Sequence, residues 1–231
     1  MSTTEEQRDA YESAHARIDA LVRTLNDEQL ATNVPCCPQW TVKDVIGHLT
    51  GVLEDRVAGR MPTGGFGDWT NAQVERHRGE SLESVLSAWN ALPKEISDAP
   101  PSFASLSFDV VTHEHDINHA LGVAGNRSSS SVRVGAERAR GRMSSMLVDG
   151  GAPGVVATTE DGTHHVEGAL APIELATSRY SFMRLTTGRM SRQQAEALSW
   201  TGDPTAVLEA LFADGFFTLQ PRDVIEAELP S

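Results

Sequence analysis

Lysine is nearly missing from this chain of 231 residues, represented only by Lys43 and Lys94, and the 19 basic groups are outnumbered by 32 acidic ones. The resulting formal charge of −13 would repel a phosphate backbone and an anionic leaflet alike, which argues against nucleic acid and membrane surfaces as partners. Cysteine is as scarce. Cys36 and Cys37 are adjacent, so they cannot close an ordinary disulfide loop, and they lack the paired spacing of a zinc ribbon. A reducing compartment is therefore expected, or a fold that does not depend on oxidation. No apolar run approaches the roughly 18 residues that span a bilayer. The opening MSTTEEQRDAYES is acidic where a secretory signal is basic and then apolar. Together these features set the expectation of a cytoplasmic protein.

What is present suits a folded globular chain. Hydrophobic residues at 39% and charged residues at 22% are close to the globular average, and the length allows one large domain or two modest ones. Apolar or small positions at Tyr11, Ala14, Ile18, Leu21, Val22 and Leu25 predict an amphipathic first helix over Thr3 to Leu25. Val42, Val45, Ile46, Leu49, Val52 and Leu53 predict a second over Trp40 to Ala58, with Thr41 as N-cap and Asp44 three residues on, as in a capping box. The Gly-rich stretch from Gly59 to Asp68 lacks the GxxxxGK[ST] order of a phosphate loop and reads as a connection. Helices are predicted over Trp69 to Arg78 and Ser81 to Ala91, ended by Pro100 and Pro101, and then over Phe103 to Leu121, stopped by Gly122 and Gly125. Beyond the serine run at 128–131 a helix is predicted over Val132 to Leu147.

Near Gly150 the pattern changes. VVATTED and THHVEG flank Gly162 and predict a hairpin. Helices are then predicted over Ile173 to Thr187, Arg192 to Leu198 and Thr205 to Ala213, before the terminal stretch FFTLQP. The chain is thus expected to divide into a helical bundle over 1–149 and a small α+β domain over 150–231.

The most informative segment is DVVTHEHDINH, from Asp109 to His119. On a helix Asp109 and His113 share one face a turn apart, and Asp116 stays near that face at i+3 from His113. Val110, Val111 and Ile117 belong to the buried stripe, so this polar face borders the core. A carboxylate and an imidazole buried unpaired are costly, and a shared cation is one arrangement that offsets the cost. His48, between Ile46 and Leu49, is the candidate for a third ligand from a facing bundle helix. Two imidazoles and one carboxylate with open positions match catalytic zinc, although the same donors accept iron or nickel. The competing readings are a local ion pair for Asp109 and His113 and a satisfied core histidine for His48.

A family resemblance bears on this choice. CPQWTVKDVIGHL (Cys37 to Leu49) resembles the CPxWTVxDxxxHL signature of the mycothiol-dependent maleylpyruvate isomerase family, whose N-terminal domain is a DinB-like four-helix bundle. The Asn71-to-Trp89 region, DVVTHEHDI and the late TTGRMSRQQAEALSWTGDP follow in the same order. The last is similar to the GRRSxxQxxALxWxGDP stretch of actinobacterial members with a C-terminal domain. The resemblance implies a mainly α fold, a DinB-like four-helix bundle followed by a small α+β C-terminal domain. It also implies a divalent metal, zinc first, held by His48, Asp109 and His113, with mycothiol as cofactor. A small-molecule thiol and an electrophilic substrate would then be the partners, with a homodimer as one open arrangement. The resemblance implies an acidic residue at position 109, where maleylpyruvate isomerase itself looks to use Glu and this chain has the shorter Asp109, and many relatives continue with Arg where Asn118 stands.

The reaction expected on this basis is thiolate addition to a small electrophile, ending in isomerisation or S-transfer. A metal-binding or ligand-binding protein without turnover and a metal-dependent hydrolase are the alternatives. Asp116 is expected to orient a ligand imidazole. Glu114, beside His113, is rotated about 100° from the site on a helix. His115 and His119 read as exposed helix polar groups, with a second cation site as the alternative. Cys37 reads as packing near the cap, without a well-placed histidine partner. Trp40 and Trp89 read as core. Of His164 and His165 only one can face a pocket. Arg184 and Arg189 read as solvated arginines.

Overall fold

The computed structural model describes residues 2–60, 62, 66–91 and 102–213. The Pro100–Pro101 stop, Lys94 and the FFTLQP stretch lie outside them. Packing separates two compact units, one of residues 11–125 and one of residues 126–231 together with 1–10.

In the 11–125 unit, α1 (Thr4–Val22) supplies its later turns, followed by a short α2 (Asp27–Leu30). An antiparallel ribbon of β1 (Asn33–Val34) and β2 (Cys37–Thr41), which the sequence pattern did not predict, leads straight into α3 (Val42–Val57). The predicted cap is there: Thr41 Oγ1 accepts from Asp44 N at 3.1 Å, and Asp44 Oδ2 accepts from Thr41 N at 3.0 Å. Then come α4 (Phe66–His77), α5 (Leu82–Ala91) and α6 (Ser102–Ala120). Their buried stripes form one core from Ile18 and Val22, Ile46 and Leu53, Leu86 and Trp89, and Val110, Val111 and Ile117. Such spacing buries one face of each helix and leaves polar positions where another helix can meet them.

The second unit is built on α7 (Ser130–Asp149), whose buried Val132, Ala136, Ala139, Met143 and Leu147 repeat at helical spacing. It is capped by Ser129, whose side chain accepts from Val132 N. The sequence pattern draws a boundary after 149; the packing places α7 with the elements that follow it, because this stripe meets α8 (Arg179–Thr186) and the sheet. That sheet has the order β4-β3-β5-β6, from β3 (Pro153–Thr159), β4 (Gly162–Val166), β5 (Leu170–Ala176) and β6 (Ser199–Thr201), with α9 (Arg192–Glu196) and α10 (Thr205–Phe212) completing the unit. The β3–β4 hairpin was expected. The predicted helix over Ile173 to Thr187 is corrected: its first part is β5, which runs parallel to β3, and the helix begins only after Ser178 caps it. Pro172 sits in the irregularity between the pairs Pro153–Leu170 and Val155–Ile173, where a strand tolerates a missing N–H. Helix predominates, and the four-stranded sheet is confined to the second unit, which is the mainly α class with a smaller α+β portion.

Candidate metal centre

His48 lies two turns into α3, flanked by Ile46 and Leu49, and its burial follows from that stripe. Asp109 and His113 come from one turn of α6. A ligand atom from each of the three lies within 4.8 Å of the other two. His48 Nε2 is 3.5 Å from Asp109 Oδ2, and His113 Nε2 is 3.6 Å from Asp109 Oδ1. The two rings stand edge to face with centroids 5.1 Å apart. Both imidazoles are buried, while the Asp109 side chain is 28% exposed, so the cluster is reached from the carboxylate side.

The distances are long for hydrogen bonds and compatible with a shared cation as well as with an ion pair. Hydrogen-bonded nitrogen and oxygen sit at 2.7–3.2 Å, and these contacts are longer. Two donors bound at roughly 2.0–2.2 Å to one tetrahedral ion stand about 3.3–3.5 Å apart, close to what is seen. The donor set therefore fits a divalent cation with a position left for another ligand.

The far nitrogen of one ring is hydrogen-bonded and that of the other faces a carboxylate. His48 Nδ1 lies 2.9 Å from Gln73 Oε1 on α4. His113 Nδ1 approaches Asp116 Oδ2 at 3.1 Å, off the hydrogen-bond direction, and Asp116 is fully buried. Asp116 thus stands where an orienting group was expected. Trp40, at the end of β2, is only half-buried: its ring is 4.8 Å from that of His48 and 6.1 Å from that of His113, and its Nε1 donates to Asn71 Oδ1 at 3.2 Å. It walls the cluster instead of filling the core. Trp89 is core, donating to the Tyr11 hydroxyl at 3.0 Å. Burial pushes the Tyr11 hydroxyl above its ordinary pKa, the Trp89 hydrogen bond opposes this, and the Asp109 charge adds to the rise. Tyr11 stays a neutral hydroxyl within the field of the site.

Several sequence readings change. Cys37 does have a histidine nearby, since its sulfur, a His113 nitrogen and an Asp116 oxygen lie within 4.8 Å of one another; the ribbon that carries it there left no periodic signal. His115 is buried rather than exposed, and among the described residues neither it nor His119 joins a group of three potential ligands. Arg184 is fully buried, not solvated. His164 bonds Thr159 Oγ1 at 3.0 Å while His165 is exposed, as strand alternation requires. Gln73 and Asp55, both fully buried or nearly so, carried no sequence signal because their partners sit on other helices.

A helical bundle carrying two buried histidines and one partly exposed carboxylate in a cluster defines the class. Residues 11–64 match the family model of the mycothiol maleylpyruvate isomerase N-terminal domain, a span that contains the Cys37-to-Leu49 motif. Two solved structures are similar. One is a histidine-to-alanine mutant of the mycothiol-dependent maleylpyruvate isomerase, 11% identical, covering 87% of this chain and 93% of that one, with a TM-score of 0.61. The other, described as the mycothiol-dependent maleylpyruvate isomerase, has the same identity and coverage and a TM-score of 0.58. At this identity the likeness establishes the fold. No curated protein matches the chain.

Proposed function

We propose that this chain is a divalent-metal-dependent, mycothiol-using enzyme acting on a small electrophile by isomerisation or S-transfer, with His48, Asp109 and His113 holding the cation. The observation that carries this reading is the pair of separations, 3.5 and 3.6 Å, between the two ring nitrogens and the two Asp109 oxygens. Zinc is the first metal to test, because three such ligands with an open position are the usual catalytic zinc set. Bound there, the cation would lower the pKa of the cofactor thiol and keep its sulfur nucleophilic.

The chain's own residues supply the rest. Asp116 places its carboxylate beside the His113 ring, Trp40 walls one side of the two imidazoles, and the partly exposed Asp109 leaves a way in. The fold and the matching N-terminal family model support mycothiol as the thiol.

Elemental analysis of protein purified without tag or chelator tests this directly, alongside His48→Ala and His113→Ala. Near-stoichiometric metal lost in both variants at unchanged circular dichroism, with electrophile consumption that requires mycothiol, is the expected result. Metal that neither copurifies nor can be restored with zinc, nickel or iron would overturn it. Metal-dependent hydrolysis without thiol would replace the thiol chemistry with that of a hydrolase, and metal retention with neither activity would leave a binding protein.

A further inference from the structure

Behind His48 runs a chain of buried polar groups. Gln73 and Asp55 are 0% and 1% exposed. Gln73 Oε1 lies 2.9 Å from His48 Nδ1, and Gln73 Nε2 donates to Asp55 Oδ2 at 2.8 Å. The other Asp55 oxygen accepts from Arg60 Nε at 2.7 Å and from Arg76 Nη2 at 2.8 Å.

The order of donors and acceptors along this chain is not free. Arginine can only donate, and a carboxylate held by two guanidinium groups is ionised and can only accept. Gln73 must therefore turn its NH2 toward Asp55, which leaves its carbonyl toward His48. A carbonyl can only accept, so His48 Nδ1 must carry the hydrogen. In the neutral ring the lone pair is then at Nε2, the atom that faces Asp109. The burial makes the order strict, because a reversed amide would set the Gln73 carbonyl against the Asp55 carboxylate, two acceptors with no hydrogen between them.

We infer that Asp55 and Gln73 are positioning residues that fix the tautomer of His48, so that its Nε2 is presented as a metal ligand. The metal half of this inference rests on the proposed function; the tautomer half does not. The relay begins at Arg60 and Arg76 near the surface and ends at the cluster, with each link supplied by a different part of α3 and α4 or the turn after α3.

The test exploits the same logic in reverse. In Asp55→Asn the amide oxygen stays with the arginines and its NH2 faces Gln73, which must then offer its carbonyl to that group and its NH2 to His48. This forces the hydrogen onto Nε2. Adding Gln73→Glu to Asp55→Asn restores an acceptor facing both groups and returns the hydrogen to Nδ1. The tautomer is read from nitrogen-15 shifts of the imidazole rings in metal-free protein, with His48→Ala for assignment, and zinc affinity is read separately by competition with a chelating dye.

The expected result is an Nδ1–H tautomer in the wild type, an Nε2–H or mixed tautomer in Asp55→Asn, and recovery in the double variant. Zinc affinity should fall about 10–100-fold in the single variant, the usual cost of losing an outer partner, and recover in the double. A purely structural role for Asp55 would not be rescued by moving the charge to position 73. An unchanged His48 tautomer in Asp55→Asn, or a double variant no better than the single, would overturn the relay. If the tautomers follow the expected pattern while wild type binds no metal, the relay stands and the metal reading fails.

Discussion

Arg17 holds Glu114 in a two-pronged ion pair, Nε to Oε1 at 2.6 Å and Nη2 to Oε2 at 2.8 Å. Glu114 follows His113 in sequence, yet its buried carboxylate is committed to α1 and is no proton acceptor for the cluster. The pair also raises the Arg17 guanidinium further above its ordinary range, chiefly through the hydrogen bonds to Glu114. Removing Arg17 would leave that carboxylate buried and unpaired, which costs several kcal/mol in a closed site. Because the Arg17 side chain is about a third exposed, water can enter and the cost is smaller. Arg17→Ala is expected to lower stability by about 2–3 kcal/mol, and Glu114→Gln by less, in urea unfolding. Zinc affinity of Glu114→Gln should stay within about twofold of wild type.

The three proposed ligands are expected to act as a unit. Asp109→Asn should cost more zinc affinity than the roughly 10–100-fold typical of an outer partner, and Asp109→Glu, which keeps the carboxylate on a side chain one methylene longer, should retain binding. Isothermal titration or dye competition with zinc measures both. The partly exposed position of Asp109 predicts little loss of folding stability in either variant.

Much of this site was legible in the sequence because its signals are local. Asp109, His113 and Asp116 share a face by helix spacing alone, the Thr41–Asp44 cap fixes where α3 starts, and the resemblance picks out His48. The readings that changed depend on partners far along the chain. The sequence pattern over β5 predicts helix because its strand character comes from pairing with β3 and β6, and pairing leaves no period in a short apolar run. Gln73 and Asp55 look like ordinary polar faces until α3 and α4 are packed together, and the β1–β2 ribbon that brings Cys37 and Trp40 to the cluster is too short to show alternation.

Gly51 tests that packing. A Cβ there would lie 2.6 Å from Gln73 Cβ and 3.1 Å from Arg76 Nη2, closer than side chains approach, so α3 and α4 meet only because this helical position has no side chain. Gly51→Ala should cost about 1–3 kcal/mol as overpacking, despite the better helix propensity of alanine. It should also weaken zinc binding by displacing Gln73. Denaturant unfolding and dye competition would show the two effects together.

His15 gives the pH dependence its direction above the carboxylate range. Its ring packs edge-on to Trp89 at 4.2 Å between centroids and parallel to Tyr11 at 6.0 Å. Burial lowers its pKa from the ordinary 6.5, with the Asp19 charge opposing. Burial likewise lowers His164, helped by the Arg140 charge. A histidine lowered in the folded state takes up its proton more readily when unfolded, so stability is full above about pH 6.5 and declines as the pH falls toward the folded value. Urea midpoints should therefore drop between pH 7.5 and 5.5, and His15→Phe should flatten part of that slope. An unchanged slope in the variant would place the proton uptake elsewhere.

The triangle formed by the three donors has one stiff side and two compliant ones. Asp109 and His113 are spaced by a single turn of α6, so their separation is set by backbone geometry and barely responds to the rest of the molecule. The two sides that end on His48 are set instead by how α3 settles against α6, two helices in contact that both carry buried apolar side chains. Small changes in volume at those apolar positions are expected to open or close the triangle like a pair of dividers hinged at α6, and a cation held as proposed would then find a different fit without any donor being altered.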